Sequence, residues 1–308
     1  MMIHWLVAGV GDIATRRVIP AILSEPRSRL QAVLTSQPAK AEAYGVRAYS
    51  DLEEALADPL VDALYVATPV ALHHPSVLAA LRMGKHVLCE KPVAMNYSQA
   101  SEMAAIAAKS GLVCGVAYYR RLYPKVLEAR RLLAAGAIGQ PVLAELNCHG
   151  WFDPTGGHRA WLVDPRLAGG GPLFDIASHR IDLLNFLLGK PLRATGFVSN
   201  AVHTYGVEDN ATVLVEYGRG ARGIVDVRWH SRVDRDECRI VGTEGALELS
   251  PLNGPRLRTP MGDLELPAHV NAHFPIVQDF VEAVLEGRAP ACPISEAIQT
   301  DWVTSQIR

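Results

Sequence analysis

The sequence predicts an α/β chain of two domains, a doubly wound parallel sheet over residues 1–118 and a second α/β domain with a largely antiparallel sheet over 119–308. Three observations predict it. Short apolar runs alternate with helical patterns through the first hundred residues, which is how βαβ units are written. A glycine turn follows the first of those runs. Beyond Tyr119 the texture changes to alternating strands joined by tight glycine turns. At 308 residues the chain is also longer than one hydrophobic core usually serves.

The elements follow in order. Ile3–Ala8, Leu30–Leu34, Ala63–Ala67 and His86–Cys89 are apolar enough to be buried on both faces, as parallel strands are. Ala14–Leu23, Asp51–Leu56 and Pro75–Met83 carry helical spacing, the last closed by Gly84-Lys85. Another helix, Tyr97–Lys109, leads to the apolar run Leu112–Tyr118, the expected last strand of the first domain. In the second domain a helix over Pro124–Ala135 precedes strands at Thr212–Tyr217, Arg222–Trp229 and Cys238–Gly242. Turns at Tyr217–Gly220 and Gly242–Gly245 imply antiparallel pairing. Phe274–Leu285 and Ile294–Ile307 read as two closing helices.

Composition excludes several classes. Hydrophobic residues are 49% and charged residues 20%, with a net charge of −2, so no broad positive field exists to hold a nucleic-acid backbone. The five cysteines are widely spaced without a CxxC pair or a Cys/His cluster, which predicts reduced thiols, a cytoplasmic setting and no metal site. The apolar start Met1–Ala8 lacks a basic region and runs straight into the glycine turn, so it reads as a strand rather than a signal peptide. No apolar stretch approaches the roughly 18 residues that cross a bilayer, and no membrane association is expected.

The glycine turn is Gly9-Val10-Gly11-Asp12-Ile13-Ala14. Its first glycine permits the turn, the second lets backbone approach a pyrophosphate, and the small sixth residue permits close helix packing. Because it lies between a strand and a helix, the turn reads as the phosphate-binding site of a Rossmann domain, with the helix N-terminus facing the phosphates. Gly9, Gly11, Asp12 and Ile13 are therefore candidate cofactor contacts. An acidic residue at the end of the second strand would bond the ribose 2′-hydroxyl of NAD and repel the 2′-phosphate of NADP. Thr35-Ser36-Gln37 stands there, with no carboxylate before Glu42, while Lys40 and the two hydroxyls suit a phosphate. The expectation is NADP(H), with NAD(H) as the alternative.

Asp175 and His179 stand four residues apart, so on one helix they share a face, and Asp182 continues the stripe. Phe174, Ile176, Ile181, Leu183, Leu184, Phe186 and Leu187 make that helix otherwise apolar. Its polar groups must then be paired or face a cleft. The glycines Gly169–Gly171 permit an unusual backbone approach at its entry. Two ligands without a third make a poor metal site.

Three stretches carry a family resemblance: Val66-Ala67-Thr68-Pro69, Cys89-Glu90-Lys91-Pro92, and Gly169 to Asp182 as GGGPLFDIASHRID. Together, in this order and spacing, they resemble the glucose–fructose oxidoreductase / inositol dehydrogenase (Gfo/Idh/MocA) family from Ile3 to about Ile307. Thr35-Ser36 with Ala43-Tyr44, and Gly206-Val207-Glu208-Asp209, resemble more narrowly its NADPH-using 1,5-anhydrofructose reductase branch. The resemblance implies an open-faced second sheet, sugar or cyclitol substrates and a homodimer or homotetramer. It implies cofactor contacts from Thr68, Pro69, His73, Glu90, Lys91 and Trp161. It also implies that Lys91 lies near the nicotinamide ribose and the reacting hydroxyl, where a cation favours a developing alkoxide. His179 would be the general acid or base, and Asp175 would hold substrate or orient the histidine. An imidazole, with an unperturbed pKa of about 6.5, suits that proton transfer. Asp182 reads as a structural residue or as one that supports the site from behind.

Two positions depart from the family pattern. Val70 stands where an Asn commonly follows Ala-Thr-Pro, and Leu162 replaces the Arg of a Trp-Arg pair at Trp161. Tyr119, Arg120, Arg121, His149, Trp151, His158 and Arg159 fall in regions that border the family's cleft, and any of them could meet sugar hydroxyls. The expected activity is hydride transfer between nicotinamide and a carbonyl or secondary alcohol of a sugar-like substrate. Inositol, pyranose or dihydrodiol-type dehydrogenases are the enzymatic alternatives, and a dinucleotide-binding regulator is the non-enzymatic one.

Overall fold

The computed structural model describes residues 1–154, 157 and 159–307. Residues 1–119 and 270–298 form one compact unit. Its strands are β1 (Ile3–Ala8), β2 (Ser28–Leu34), β3 (Arg47–Tyr49), β4 (Ala63–Val66), β5 (His86–Cys89) and β6 (Cys114–Val116). They lie in the order β3-β2-β1-β4-β5-β6 with every pair parallel. This is the doubly wound order, whose direction of winding reverses between β1 and β4. The central strands are apolar where they are buried on both sides: Trp5 to Ala8 and Ala63 to Val66 are all inaccessible to solvent.

The stretch 270–298, which sequence reading assigned to the second domain, packs in this first unit. Its helix, Phe274–Glu286, starts with a proline in the first turn and stops at the left-handed Gly287, φ 67°. One face buries Ile276, Val277, Phe280 and Val281, and the Phe280 ring meets Trp5 of β1 at a centroid distance of 5.2 Å. Arg27 reaches Glu282 at 3.2 Å on the same seam.

The second unit comprises residues 120–269 and the terminal segment from Gln299. Its sheet holds β7 (Pro141–Trp151), β8 (Arg193–Ser199), β9 (Asn210–Glu216), β10 (Arg222–Arg228), β11 (His230–Gly242), β12 (Ala246–Glu248), β13 (Arg256–Thr259) and β14 (Gly262–Glu265). The order is β14-β13-β12-β11-β7-β10-β9-β8, with β7 and β10 parallel and the other pairs antiparallel. Alternation decides the two faces. Ala144, Leu146, Val213, Val215, Val225, Val227, Cys238 and Ile240 are buried on one face, while Phe197, 78% exposed, and Leu214, 38% exposed, stand on the other. The helix Ser178–Leu188 covers the buried face, where a Cβ at Gly223 would meet Leu184 at 2.6 Å.

Candidate active site

In the first unit the site is built at the carboxyl ends of β1, β2, β4 and β5, where ligands of doubly wound sheets bind. Gly9 has φ +90° and donates its N–H to Leu34 O at 3.0 Å, and a Cβ there would lie 2.7 Å from the Ala67 carbonyl oxygen. Only glycine fits that contact. At Gly11, by contrast, an added Cβ would meet nothing within 4 Å, so this side of the turn is an open cradle. The helix beginning at Asp12 contains a π-turn, Ala14–Val18, and continues as Ile19–Ser24. Asp12 pairs with Arg16 at 3.0 Å, Thr15 donates to Gly11 O at 3.1 Å, and Ile13 is 37% exposed at the entry.

Lys40 joins this turn: its ammonium donates to Val10 O at 2.8 Å. The Thr35 hydroxyl accepts the Gln37 N–H at 3.1 Å, and Ser36 is exposed beside it. At the β4 end, the hydroxyl of Thr68 is buried and finds no hydrogen-bond partner among the described residues. A buried hydroxyl of this kind needs a partner from outside the protein. With the cradle at Gly11 and the helix N-terminus behind it, these residues fit a dinucleotide. Pro69 precedes a short turn over Val70–Leu72, and Val70 is buried, 3% exposed.

His73 ties the β4 and β5 ends together. Its Nδ1 faces Pro92 O at 2.9 Å and its Nε2 faces Thr68 O at 3.1 Å, and burial pushes its pKa below the ordinary imidazole value. Glu90, 7% exposed, accepts from Tyr65 at 2.9 Å and from His273 Nε2 at 3.1 Å. Burial alone would raise this carboxyl, but the His273 and Lys91 charges and the two side-chain hydrogen bonds bring it below its usual range. Burial in turn holds Tyr65 well above the normal phenol value. Lys91 follows directly, and its bond to Pro92 is cis.

In the second unit, Asp175 lies in a π-turn, Leu173–Ala177, that runs into the helix Ser178–Leu188 carrying His179. The two residues therefore do not sit on one uniform α-helix, although the helix is continuous; π-turns of this kind recur at functional sites. His179 is 6% exposed, and Asp175 pairs with the half-exposed Arg159 at 3.5 Å. The Arg159 guanidinium also lies over the Phe152 ring, 4.6 Å from its centre. Leu162 packs with Phe152, Val207 and Trp229, and Trp161, Ile176 and Tyr205 border that cluster. Its apolar side chain has thus become core.

The other cleft-region residues divide by partner. Arg121 is buried on Asp182, Arg120 reaches Asn253 at 3.1 Å, and the Tyr119 ring packs tilted against His273 with centroids 4.6 Å apart. His149 bonds Asp226 at 2.7 Å, and Trp151 lies under Arg232 and beside His203. His158 lies outside the described residues. Gly9, Gly11, Asp12, Ile13, Thr35, Ser36, Lys40, Thr68, Pro69, His73, Glu90 and Lys91 all belong to the first unit, and Trp161, Asp175 and His179 to the second.

Two groups escaped sequence reasoning. His273, 2% exposed, is a lone histidine before an apolar helix, and no local pattern links it to Glu90 some 183 positions away. Glu208 accepts the backbone N–H groups of Gly171 and Leu173 at 2.8 and 3.0 Å, at the entry of the Asp175 helix. Gly206-Val207-Glu208-Asp209 was visible in sequence as a resemblance, without a physical role.

A doubly wound sheet with a glycine cradle at its first strand, joined to a second unit bearing a carboxylate and an imidazole on one helix, defines a dinucleotide-dependent oxidoreductase. Residues 3–118 match the oxidoreductase family with an NAD-binding Rossmann fold, and residues 126–248 match the GFO/IDH/MocA C-terminal domain. The chain belongs to the Gfo/Idh/MocA family of oxidoreductases. It is similar to 1,5-anhydro-D-fructose reductase of Ensifer adhaerens, 31% identical over 86% of this chain and 83% of that protein. It is also 32% identical to dTDP-3,4-didehydro-2,6-dideoxy-alpha-D-glucose 3-reductase of Streptomyces violaceoruber, over 90% and 84% of the two chains. Among solved structures, aldose-aldose oxidoreductase from Caulobacter crescentus, complexed with glycerol, superposes with a TM-score of 0.88 and 26% identity, over 98% of this chain and 95% of that one. No helix among the described residues is long and apolar enough to cross a membrane.

Proposed function

We propose that this chain transfers hydride between NADP(H) and a carbonyl or secondary alcohol of a sugar-like small molecule, with His179 as the general acid/base. The observation that carries the reading is a nearly buried imidazole on an apolar helix, with the Asp175 carboxylate at the preceding turn. The bound nicotinamide supplies the hydride chemistry. What remains for the protein is to position the substrate and manage one proton. In reduction His179 gives that proton to the substrate oxygen, and in oxidation it takes it. The Lys91 ammonium is a cation suited to a developing alkoxide, and Asp175, balanced by Arg159, orients the imidazole or holds a substrate hydroxyl.

Selection of NADP(H) over NAD(H) rests on the end of β2. Thr35 and Ser36 offer hydroxyls, Lys40 brings a cation against the glycine turn, and no carboxylate repels a 2′-phosphate. That the relatives from Ensifer adhaerens and Streptomyces violaceoruber are named as reductases of sugar derivatives supports a sugar-like carbonyl. The exposed Phe197 and Leu214 on the open sheet face support a homodimer or homotetramer, and five widely spaced cysteines without a CxxC pair support a cytoplasmic setting.

The test is a turnover panel. NADPH or NADH is mixed with ketoses, osones and aromatic diketones, and the oxidised cofactors with aldoses and cyclitols, following the absorbance of the reduced nicotinamide. Turnover of a sugar-like member with a lower KM for NADPH is expected. A lower KM for NADH overturns the cofactor assignment. Tight cofactor binding with no turnover overturns the enzymatic reading in favour of a dinucleotide-responsive regulator.

A further inference from the structure

The helix that carries Asp175 and His179 begins with backbone donors that no preceding turn can satisfy. Pro172 has none to offer, and the N–H groups on either side of it, Gly171 and Leu173, both donate to Glu208 Oε1, at 2.8 and 3.0 Å. The carboxyl comes from a loop well downstream in sequence, and burial raises its pKa while the Gly171 and Leu173 N–H groups draw it back; its oxygen does the work of an N-terminal capping side chain. The loop is itself fixed on both sides. Val207 enters the cluster of Phe152, Leu162 and Trp229, against which Ile176 of the π-turn also packs. Asp209, fully buried, accepts the N–H groups of Ala201, Val202 and His203 at 2.9, 2.8 and 2.8 Å. The approach leaves no room at the entry: a Cβ at Gly171 would lie 2.0 Å from the Glu208 carbonyl oxygen.

From that entry, hydrogen bonds run to Asp175 itself and to the residue before His179. The Gly171 carbonyl accepts the Asp175 N–H at 2.9 Å, and the Leu173 carbonyl accepts the N–H of Ser178, the neighbour of His179. We propose that Glu208 is a positioning residue for Asp175 and His179, its one carboxylate oxygen setting the start of the π-turn that carries Asp175 and runs into the helix of His179. The proposal rests on the reading of His179 as the acid/base. It gives the Gly-Val-Glu-Asp segment a division of labour: Val207 to the core, Glu208 to the catalytic helix, Asp209 to the loop that holds them.

Three variants of the full chain test it: Glu208→Ala, Glu208→Gln and, alongside, His179→Ala. Amide hydrogen exchange without ligand reads the anchor directly. Glu208→Ala should speed exchange across 171–179 by about tenfold while leaving 182–188 unchanged. Glu208→Gln, whose amide oxygen can accept the same two N–H groups, should stay near wild type. With NADPH and the best substrate of the panel, kcat should fall about tenfold to hundredfold in Glu208→Ala, as for a small misplacement of reacting groups. NADPH affinity should hold within about twofold, and Glu208→Gln should restore most of kcat. Unchanged exchange in Glu208→Ala overturns the proposal, and so does uniform loosening of the whole chain with loss of NADPH binding. Full turnover in Glu208→Ala beside lost turnover in His179→Ala overturns Glu208 alone. Full turnover in His179→Ala overturns the acid/base reading, and the exchange result then judges the anchor by itself.

Discussion

Removing the Asp182 carboxylate should destabilise the second unit by about 3–5 kcal/mol, because it leaves the Arg121 guanidinium buried without its forked carboxylate. Arg121 and Asp182 are 2% and 1% exposed. Arg121 Nε lies 3.1 and 2.9 Å from the two carboxylate oxygens, and its Nη2 lies 2.6 Å from Oδ1. A forked arrangement of this kind compensates much of the desolvation of both ions, and neither can turn to water when its partner is lost. For a unit of this size, roughly 2–4 °C is lost per kcal/mol, so Asp182→Ala should unfold some 6–20 °C lower. Thermal and urea unfolding followed by circular dichroism measure it. The double variant Arg121→Met/Asp182→Leu should recover most of the loss, since neither charge of this pair is then left buried without the other. A cost below about 1 kcal/mol for Asp182→Ala would refute the reasoning, since that is the range of solvent-exposed pairs.

Two further outcomes follow from single residues. Asp209 is buried, which alone would raise its pKa, but the amides of Ala201, His203 and Val202 and the Asn210 side chain hold it well below the usual carboxylate range. Its contribution is therefore complete above the unfolded pKa of about 3.9 and is lost as pH falls toward the lower native value. The stability gap between wild type and Asp209→Asn, measured by urea unfolding across pH, should narrow below about pH 4; a gap that widens with acid contradicts this. Thr35→Asp should weaken NADPH binding at least about tenfold and spare NADH, by isothermal calorimetry, because it restores the carboxylate that repels a 2′-phosphate. Equal loss of both cofactors would show that Thr35 lies outside the discriminating contact.

The parallel strands were legible because burial on both faces leaves continuous apolar runs, as in Ile3–Ala8 and His86–Cys89, which the structure reproduces residue for residue. β3 was not, since three residues with one buried side chain carry too little pattern to separate from a loop. β11 was seen only from Cys238, because its first half, from His230, is polar and breaks register against β7 between His230 and Arg235. The helix Phe274–Glu286 was placed correctly in sequence but in the wrong unit: its apolar stripe announces burial without saying against what. The glycine turn was legible because its constraint is local, a positive φ at Gly9 and a close backbone contact. The Glu208 and His273 contacts were not, since each joins groups far apart in the chain through a single side chain.

His179 is the group on which the proposed proton transfer depends. Steady-state turnover of His179→Ala with NADPH and the best panel substrate, beside fluorescence titration of NADPH into the same protein, separates chemistry from binding. Loss of one acid/base group should lower kcat about 10²–10⁴-fold while NADPH affinity changes less than about twofold. Near-normal kcat in that variant would contradict the central claim.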